Sequence, residues 1–251
     1  MPRALLTPRW IAGHLLALAL VVLFVNLGFW QLRRLDQRRE YVQQVESRSQ
    51  LPAQPLAEAL TGELLEYRPV TAVGEFDPAE EVLLRGRSLD GSPGFNVLTP
   101  LVLADGSAVL VERGWVPYGS DTVPVETAPP PAGTVTVTGR LRAPHAPRPG
   151  TFGPRDPPTG ELTQTYYPDV ERLQPQMPYD LVPAYVELTG VEPPHPLELP
   201  APLPEPDLGE GPHLGYAIQW FSFAAIGIVG YFFLMRHVIR GMREGQKVAI
   251  P

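Results

Sequence analysis

The sequence contains no cysteine among its 251 residues. This absence excludes a disulfide framework, a thiolate metal site and any cysteine-based redox or copper-relay chemistry. Methionine is scarce too, with four residues, so soft ligands for Cu(I) are few. The chain also lacks a G-x-S-x-G nucleophile turn, an H-E-x-x-H zinc motif, a G-x-G-x-x-G motif and a phosphate-binding loop. These absences favour a protein that is not an enzyme, and they disfavour an exported hydrolase in particular.

The other polar residues do not form a recognisable catalytic pattern. His145 and His195 stand singly in proline-rich segments, which favours solvated surface positions. The carboxylates between residues 58 and 81 are spread over a predicted short helix and turns. A solvated face is therefore favoured over a paired general acid and base.

Negative charge is concentrated in the middle of the chain, although the net charge of −7 is ordinary. Residues 1–10 carry a charge of +2 and residues 236–251 carry +3, which leaves −12 for residues 33–213. Nucleic acid would require clustered Lys and Arg on its partner. We therefore expect no nucleic-acid partner for the acidic middle region.

Two uncharged, apolar stretches of 22 residues, 11–32 and 214–235, lie near the two ends of the chain. A helix of that length rises about 33 Å, enough to cross the roughly 30 Å hydrocarbon core of a bilayer. Both stretches are therefore predicted as transmembrane helices in contact with membrane lipid. A buried core helix is the alternative for either, but core helices are shorter and keep a polar face.

The first span also resembles a signal peptide, because basic residues precede an apolar run. The residues after the run are too bulky for a cleavage site, which favours an uncleaved anchor. Positive flanks at both ends predict that residues 1–10 and 236–251 are cytoplasmic and that residues 33–213 are extracytoplasmic. Four arginines within residues 33–39 oppose this orientation, but long loops are translocated largely regardless of charge. Because no Arg- and Ser-rich leader precedes the span, a bacterial plasma membrane is the expected location.

The middle region reads as strands separated by turn signals. The fold class expected is an α+β membrane protein, with two transmembrane helices flanking a β-rich domain. That domain should form an antiparallel sheet or a partly closed barrel with short helices. The first helix should continue through residues 33–50, and residues 56–65 could form another. The predicted strands are Val70–Phe76, Glu81–Arg87, Phe95–Leu103, Ala108–Trp115, Thr134–Leu141 and Pro183–Leu188.

Four short motifs, in order, make the chain resemble the surfeit locus protein 1 family. A G-x-W-Q-x-x-R pattern closes the first span, and Tyr-Arg-Pro-Val followed by Gly-x-Phe opens the domain. An Arg-Gly-Trp triplet ends a predicted strand, and His-x-x-Tyr-Ala-x-Gln-Trp-Phe opens the second span. The region 118–212 matches the family far less well. The residues are Gly28, Trp30, Gln31, Arg34; Tyr67, Arg68, Pro69, Val70, Gly74, Phe76; Arg113, Gly114, Trp115; and His213, Tyr216, Ala217, Gln219, Trp220, Phe221.

The resemblance implies an assembly factor for haem-copper (aa3-type) cytochrome c oxidase that holds haem a transiently until subunit I of the oxidase receives it. His213 matches the family's proposed iron ligand, and imidazole is a standard axial ligand. Trp30, Tyr216 and Trp220 are expected at the same membrane level, where they would supply an apolar cleft. Arg33 or Arg34 could pair with haem propionates. His14 is expected at the opposite end of the first span, too far away to share the iron.

Two alternatives remain open at this point. His213 could simply cap or anchor the second span without binding iron. The protein could also be a structural or accessory subunit, retained on the oxidase or a respiratory supercomplex without a cofactor.

Overall fold

A computed structural model describes residues 3–147, 150, 152–194 and 197–248 of the chain. These residues form two compact units. We call residues 3–43 and 207–248 the helix pair, and residues 44–206 the β domain. His195 lies outside the described residues.

The helix pair is built from two long helices, α1 (Pro8–Ser49) and α4 (His213–Val248), after a short 3-10 turn at Arg3–Leu6. The last residues of α1, 44–49, are counted with the β domain. Pro8 occupies the first turn of α1, where a missing N–H costs nothing, and no proline follows until Pro52. This explains why α1 continues without a break past the apolar run, as the sequence predicts. Both helices are long and apolar enough to cross a membrane.

The two helices run antiparallel, and aromatic rings join them. Phe24 stacks on Trp220 with ring centroids 5.8 Å apart, and Phe29 meets Phe221 edge-on at 5.4 Å. Gly28 allows this approach, because a Cβ there would lie 2.6 Å from the Phe221 ring. A small residue at the crossing point lets two apolar helices pack closely.

The β domain contains eight strands among the described residues, and all six predicted strands are present. The hairpin predicted around Ala104–Ser107 joins two of them in antiparallel register. Two strands are longer than predicted. The strand expected to end at Arg87 ends at Leu89, and the strand expected to begin at Phe95 begins at Ser92, so the loop between them is only Asp90-Gly91. Both loop residues have positive φ, 49° and 80°, as a tight two-residue hairpin requires. The strands are β1 (Gln54–Pro55), β2 (Pro69–Phe76), β3 (Val82–Leu89), β4 (Ser92–Leu103), β5 (Ala108–Pro117), β6 (Thr134–Arg142), β7 (Gln164–Thr165) and β8 (Leu181–Glu192).

Five of these strands close into a barrel. The order β2-β6-β8-β5-β4 returns to β2 through an additional β2–β4 pairing. The prediction of a barrel-like sheet is thus confirmed, but the expectation of a purely antiparallel sheet is wrong. β5 and β8 are parallel, because a long crossover separates β6 from β8 and returns the chain in the direction of β5.

Alternating apolar side chains fill the barrel. Val135 and Val137 of β6 are buried, whereas the threonines between them are not, as strict alternation predicts. Two short helices pack against the sheet. α2 (Leu56–Ala59) is shorter than the predicted 56–65 and contributes Leu56 and Ala59 to the cluster inside the barrel, whereas α3 (Val170–Leu173), which was not predicted, packs in a second cluster. The other buried residues of this central cluster are Leu56, Ala59, Val70, Ala72, Leu101, Val109, Val111, Leu141, Ala184 and Val186.

Candidate functional site at the His213 end of the helix pair

His213 is placed by the start of α4. Gly211 adopts a φ of +71°, and Pro212 directly precedes the helix. The first helical hydrogen bond runs from the Tyr216 N–H to the Pro212 carbonyl, 3.1 Å. A Cβ on Gly211 would lie 3.6 Å from Nε2 of His213, so the glycine also leaves the space beside the ring free.

One hydrogen bond orients the His213 ring. Nδ1 of His213 lies 3.0 Å from Oε1 of Gln31, a buried residue of α1. An amide oxygen can only accept, so Nδ1–H donates; in the tautomer with this proton, the lone pair lies on Nε2. A hydrogen bond on one ring nitrogen fixes the tautomer of histidines that bind metals through the other nitrogen. The arrangement would leave Nε2 of His213 available to bind an iron ion, if a haem were held here.

The other predicted site residues are largely exposed. Trp30 and Tyr216 are about half exposed, and Arg33 and Arg34 are exposed. Arg34 donates to Oε1 of Gln37 at 3.0 Å. Among the described residues, no ring stacking or hydrogen bond joins these side chains to His213.

Trp220 contributes to helix packing. It lies two turns along α4 from His213, about 10 Å at 1.5 Å per residue. Its ring stacks on Phe24 and meets Phe223 edge-on at 5.9 Å. The residue that the structure does bring to His213 is Gln31. In the sequence Gln31 belongs to the G-x-W-Q-x-x-R motif, and a lone amide near the end of an apolar run is a signal for a polar partner.

Two arginines of α1 hold the segment that leads into α4. Arg38 donates to the carbonyls of Asp207 and Gly209, at 2.6 and 2.7 Å, and also pairs with the Asp207 carboxylate. Arg39 pairs with both oxygens of Glu210, and its hydrogen bond lowers the pKa of that carboxyl. Two of the arginines that oppose the expected orientation are therefore engaged by acids of the helix pair.

His14 lies at the other end of the helix pair, as the sequence predicts. The Tyr231 hydroxyl contacts Nδ1 of His14, and Nε2–H donates to the Leu5 carbonyl at 3.1 Å. A single neutral tautomer satisfies both contacts, with Tyr231 as donor. Among the described residues no group of three His, Cys, Asp or Glu could hold a metal ion. Iron at His213 would thus receive one nitrogen from the helix pair.

The β domain has a polar cleft of about 360 Å³ between β5, β8 and the loop that carries His145. Its acids are engaged: Asn96 donates to Glu112 at 2.6 Å, and Arg142 binds Glu187. Burial raises the pKa of Glu112. His145 itself is exposed, as predicted. These contacts satisfy the hydrogen-bonding capacity of the acids that line the cleft.

Comparison with known proteins identifies the family. The model of the SURF1 family matches residues 18–225. Along its whole length the chain is 32% identical to a SURF1-like protein of Mycobacterium tuberculosis, of which the alignment covers 93%. This chain belongs to the SURF1 family. It is also 28% identical to a SURF1-like protein of Monosiga brevicollis, over 93% of the chain and 91% of the relative.

A further SURF1-family relative carries a functional name. The cytochrome oxidase assembly protein SHY1 of Saccharomyces cerevisiae is 32% identical over 105 residues, which are 40% of this chain and 27% of the yeast protein. The matched residues, 18–225, include Gln31 and His213 of the helix pair and the whole β domain. The family resemblance drawn from the four motifs is thereby confirmed.

Proposed function

We propose that this SURF1-family protein is an assembly factor for haem-copper cytochrome c oxidase and that it presents haem a, as cargo, to subunit I. The assembly role is supported by family membership and by the name of the yeast relative. The haem-handling step is supported by one geometric observation. Gln31 holds Nδ1 of His213 and leaves Nε2 able to bind iron.

Insertion of α1 and α4 in a bacterial plasma membrane is part of the proposal. Their outward-facing side chains are large and apolar; Leu16 is 62% exposed and Ile226 is 67% exposed. Exposed apolar surface of this extent is unfavourable in water and favourable in lipid. The positive termini and the acidic middle favour residues 1–10 and 236–251 in the cytoplasm and residues 33–213 outside.

The surroundings of His213 suit a flat, amphiphilic cargo. Exposed Trp30 and Tyr216 offer ring faces for an apolar macrocycle, and exposed Arg33 and Arg34 offer cations for carboxylate groups. Trp220 supports the site by holding α4 against α1 through Phe24. His213 would be the only iron ligand supplied by these residues, which suits transient binding better than permanent retention.

The first experiment measures haem on the protein and in the oxidase. The full chain is purified from cells that make haem A, and its absorption spectrum is compared with those of His213→Ala, Gln31→Leu and the matched surface control His145→Ala. We expect loss of bound haem in His213→Ala, reduced binding in Gln31→Leu and normal binding in His145→Ala. Equal haem content in His213→Ala and His145→Ala would rule out His213 as the ligand.

Deletion of the gene tests the assembly role separately. Reduced-minus-oxidised spectra of membranes should show a smaller haem a signal, restored by the wild-type gene. A normal signal after deletion would contradict an assembly role. Stoichiometric co-purification with mature oxidase, without haem, would instead favour the accessory-subunit alternative.

The absence of cysteine makes the topology directly testable. A single cysteine at Gly119 in the β domain should react with a membrane-impermeant maleimide in intact spheroplasts. A single cysteine at Arg240 in α4 should react only after permeabilisation. The reverse pattern would overturn the proposed orientation.

A further inference from the structure

Arg113, in the Arg-Gly-Trp triplet, shows how the β domain accommodates a cation that it encloses. It is the extra residue of a β-bulge between β4 and β5. Nη2 donates to Oε2 of Glu81 at 2.7 Å, and Nε donates to the Thr99 hydroxyl at 2.7 Å. The expectation that all carboxylates of residues 58–81 are solvated is wrong for Glu81, because Arg113 compensates its charge inside the domain.

Arg87 has no such partner. It lies on β3, is half-buried and lines the polar cleft of about 360 Å³ described above. Among the described residues it makes no hydrogen bond and no ion pair, and none of its nitrogens belongs to the enclosed atoms that lack a partner. Its guanidinium therefore stays accessible. The charge of Arg87 opposes the rise in the pKa values of Glu112 and Tyr185, two other residues of the cleft, which places the guanidinium on the cleft side of β3.

The Tyr185 hydroxyl is a second free donor in the cleft. Tyr185 belongs to β8 and is 5% exposed, and in the described part of the chain its hydroxyl makes no hydrogen bond. The hydroxyl oxygen is not enclosed either, so it opens to the cleft that Tyr185 lines. Burial raises the pKa of Tyr185, and the charges of Glu112 and Glu187 add to the rise. The hydroxyl therefore keeps its proton and acts as a donor.

Glu112 decides the charge balance of the cleft. Arg142 contacts Glu187 directly, so these two charges cancel. Arg87 and Glu112 are the other charged groups of the lining, together with the titratable ring of His145. Because burial raises the pKa of Glu112, its carboxyl keeps the proton to a higher pH than an exposed glutamate does. While Glu112 is protonated, the charge of Arg87 is unmatched in the lining and favours an anion.

Ionisation of Glu112 would change this balance. The new negative charge would lie beside Glu187, and both would repel an anion in the cleft. By linkage, an anion in the cleft and a proton on Glu112 favour each other. The groups around Glu112 come from four strands: Arg87 of β3, Asn96 of β4, Tyr185 and Glu187 of β8, and Arg142 of β6, which also pairs with Glu66.

Aromatic side chains form much of the remaining lining and suit a planar body. They are Tyr166, Tyr167 and Tyr185, and Pro168 lies beside them. Ring faces pack well against flat apolar groups. An apolar cavity of about 150 Å³ holds benzene in an engineered protein, so this cleft has room for a ring that carries a carboxylate. A dianion such as a phosphate ester is less suitable, because Glu187 repels the second charge.

We propose that this cleft binds a small carboxylate with a planar, apolar body, whose oxygens accept hydrogen bonds from the Arg87 guanidinium and the Tyr185 hydroxyl. The site belongs to the β domain, and its occupancy does not depend on haem binding at His213. The carboxylate binds more tightly at low pH, where Glu112 is protonated.

The test uses the full chain in an uncharged detergent with three probes: benzoate, benzamide and benzamidinium. The probes share one ring and nearly one size, but their charges are −1, 0 and +1. Titration calorimetry at pH 5 should give benzoate a Kd at least about tenfold lower than those of the other two. At pH 8 benzoate should bind about tenfold more weakly. Equal binding of the three probes at pH 5 would overturn the proposal, as would no binding of benzoate.

Arg87→Met tests the cation without removing a contact of the fold. We expect benzoate affinity at pH 5 to fall by more than about tenfold. Arg85 lies two positions earlier on β3, packs over the Tyr166 ring at 4.9 Å and does not line the cleft. Arg85→Met is therefore the matched control and should retain binding. Tyr185→Phe keeps the ring and should weaken benzoate several-fold. Unchanged binding in Arg87→Met would refute the assignment.

Two further variants separate the groups of the lining that titrate near neutral pH. Glu112→Gln keeps an acceptor for Asn96 and never ionises. It should bind benzoate at pH 8 as tightly as the wild type does at pH 5. His145→Gln removes the other titratable group, and it should keep the full pH dependence. A pH dependence that persists in Glu112→Gln and disappears in His145→Gln would refute the coupling to Glu112.

Discussion

The helix pair and the β domain bury polar groups in opposite ways. In the helix pair the described polar contacts between α1 and α4 are neutral, His14 with Tyr231 and Gln31 with His213. In the β domain a full ion pair, Arg113 with Glu81, is buried next to the barrel. The apolar side chains are distributed in opposite ways too. They lie on the outside of the helices and on the inside of the barrel.

This difference agrees with the proposal that the helix pair lies in a membrane and the β domain in water. A charge near the centre of a bilayer is costly, and a neutral hydrogen bond is cheaper to keep there. In a domain surrounded by water, a buried charge is tolerable when its partner and several hydrogen bonds come with it. The contrast predicts that removing a buried polar group lowers the free energy of unfolding more in the β domain than in the helix pair.

The largest effect is expected at Arg113. Arg113→Met leaves the Glu81 carboxylate buried without its counter-charge, and breaking one side of a buried ion pair costs about 3–5 kcal/mol. The double variant Arg113→Met with Glu81→Leu removes both charges and should recover much of that loss. Denaturant unfolding of the full chain measures both. If the double variant were as unstable as the sum of the single variants, the two charges would not be coupled.

This network also marks the limit of what the sequence predicts. All six main strands follow from alternation and turn residues, because those signals are local. The burial of Glu81 depends on Arg113, 32 positions further along the chain, and on a bulge that changes the face of β5. Nothing in the neighbourhood of Glu81 in the sequence encodes that partner.

At the candidate site, too, local patterns are predictable from the sequence and long-range contacts are not. The apolar run and the charge flanks predict two helices, and the aromatic ends predict that they meet near His213. The identity of the polar partner, Gln31, requires the register of α1 against α4. That register is set by packing, for example of Gly28 against Phe221, rather than by local pattern. The closure of the barrel by β2 and β4 is likewise a long-range pairing.

A smaller effect, with a defined pH dependence, is expected at Glu112. Burial raises its pKa, against the opposing hydrogen bond from Asn96 and the charges of Arg87 and Arg142. The folded protein therefore holds this proton more tightly than the unfolded chain, whose pKa is near 4.5. The stabilisation that comes from the protonated Glu112 carboxyl is complete below that pH. It is lost as the pH rises through the pKa of Glu112 in the folded protein.

Glu112→Gln keeps the acceptor for Asn96 and removes the titration. We expect little change in Tm at pH 4 and a gain at pH 8 on the order of 1 kcal/mol, about 2–4 °C. The exposed Glu126→Gln is the matched control, with little effect at either pH. A Glu112→Gln variant that is destabilised at pH 8 would show that the ionised carboxylate is required in the fold.

The smallest effect is expected at Tyr231 in the helix pair. Tyr231→Phe removes the hydroxyl that contacts Nδ1 of His14, while Nε2 keeps the Leu5 carbonyl. Hydrogen bonds between transmembrane helices contribute about 0.6 kcal/mol on average and about 1.7 at most, because the separated helices find other partners in the membrane. Steric-trap unfolding in bilayers measures the change, with the exposed Tyr118→Phe of the β domain as control. A cost as large as that of Arg113→Met would contradict the contrast between the two units.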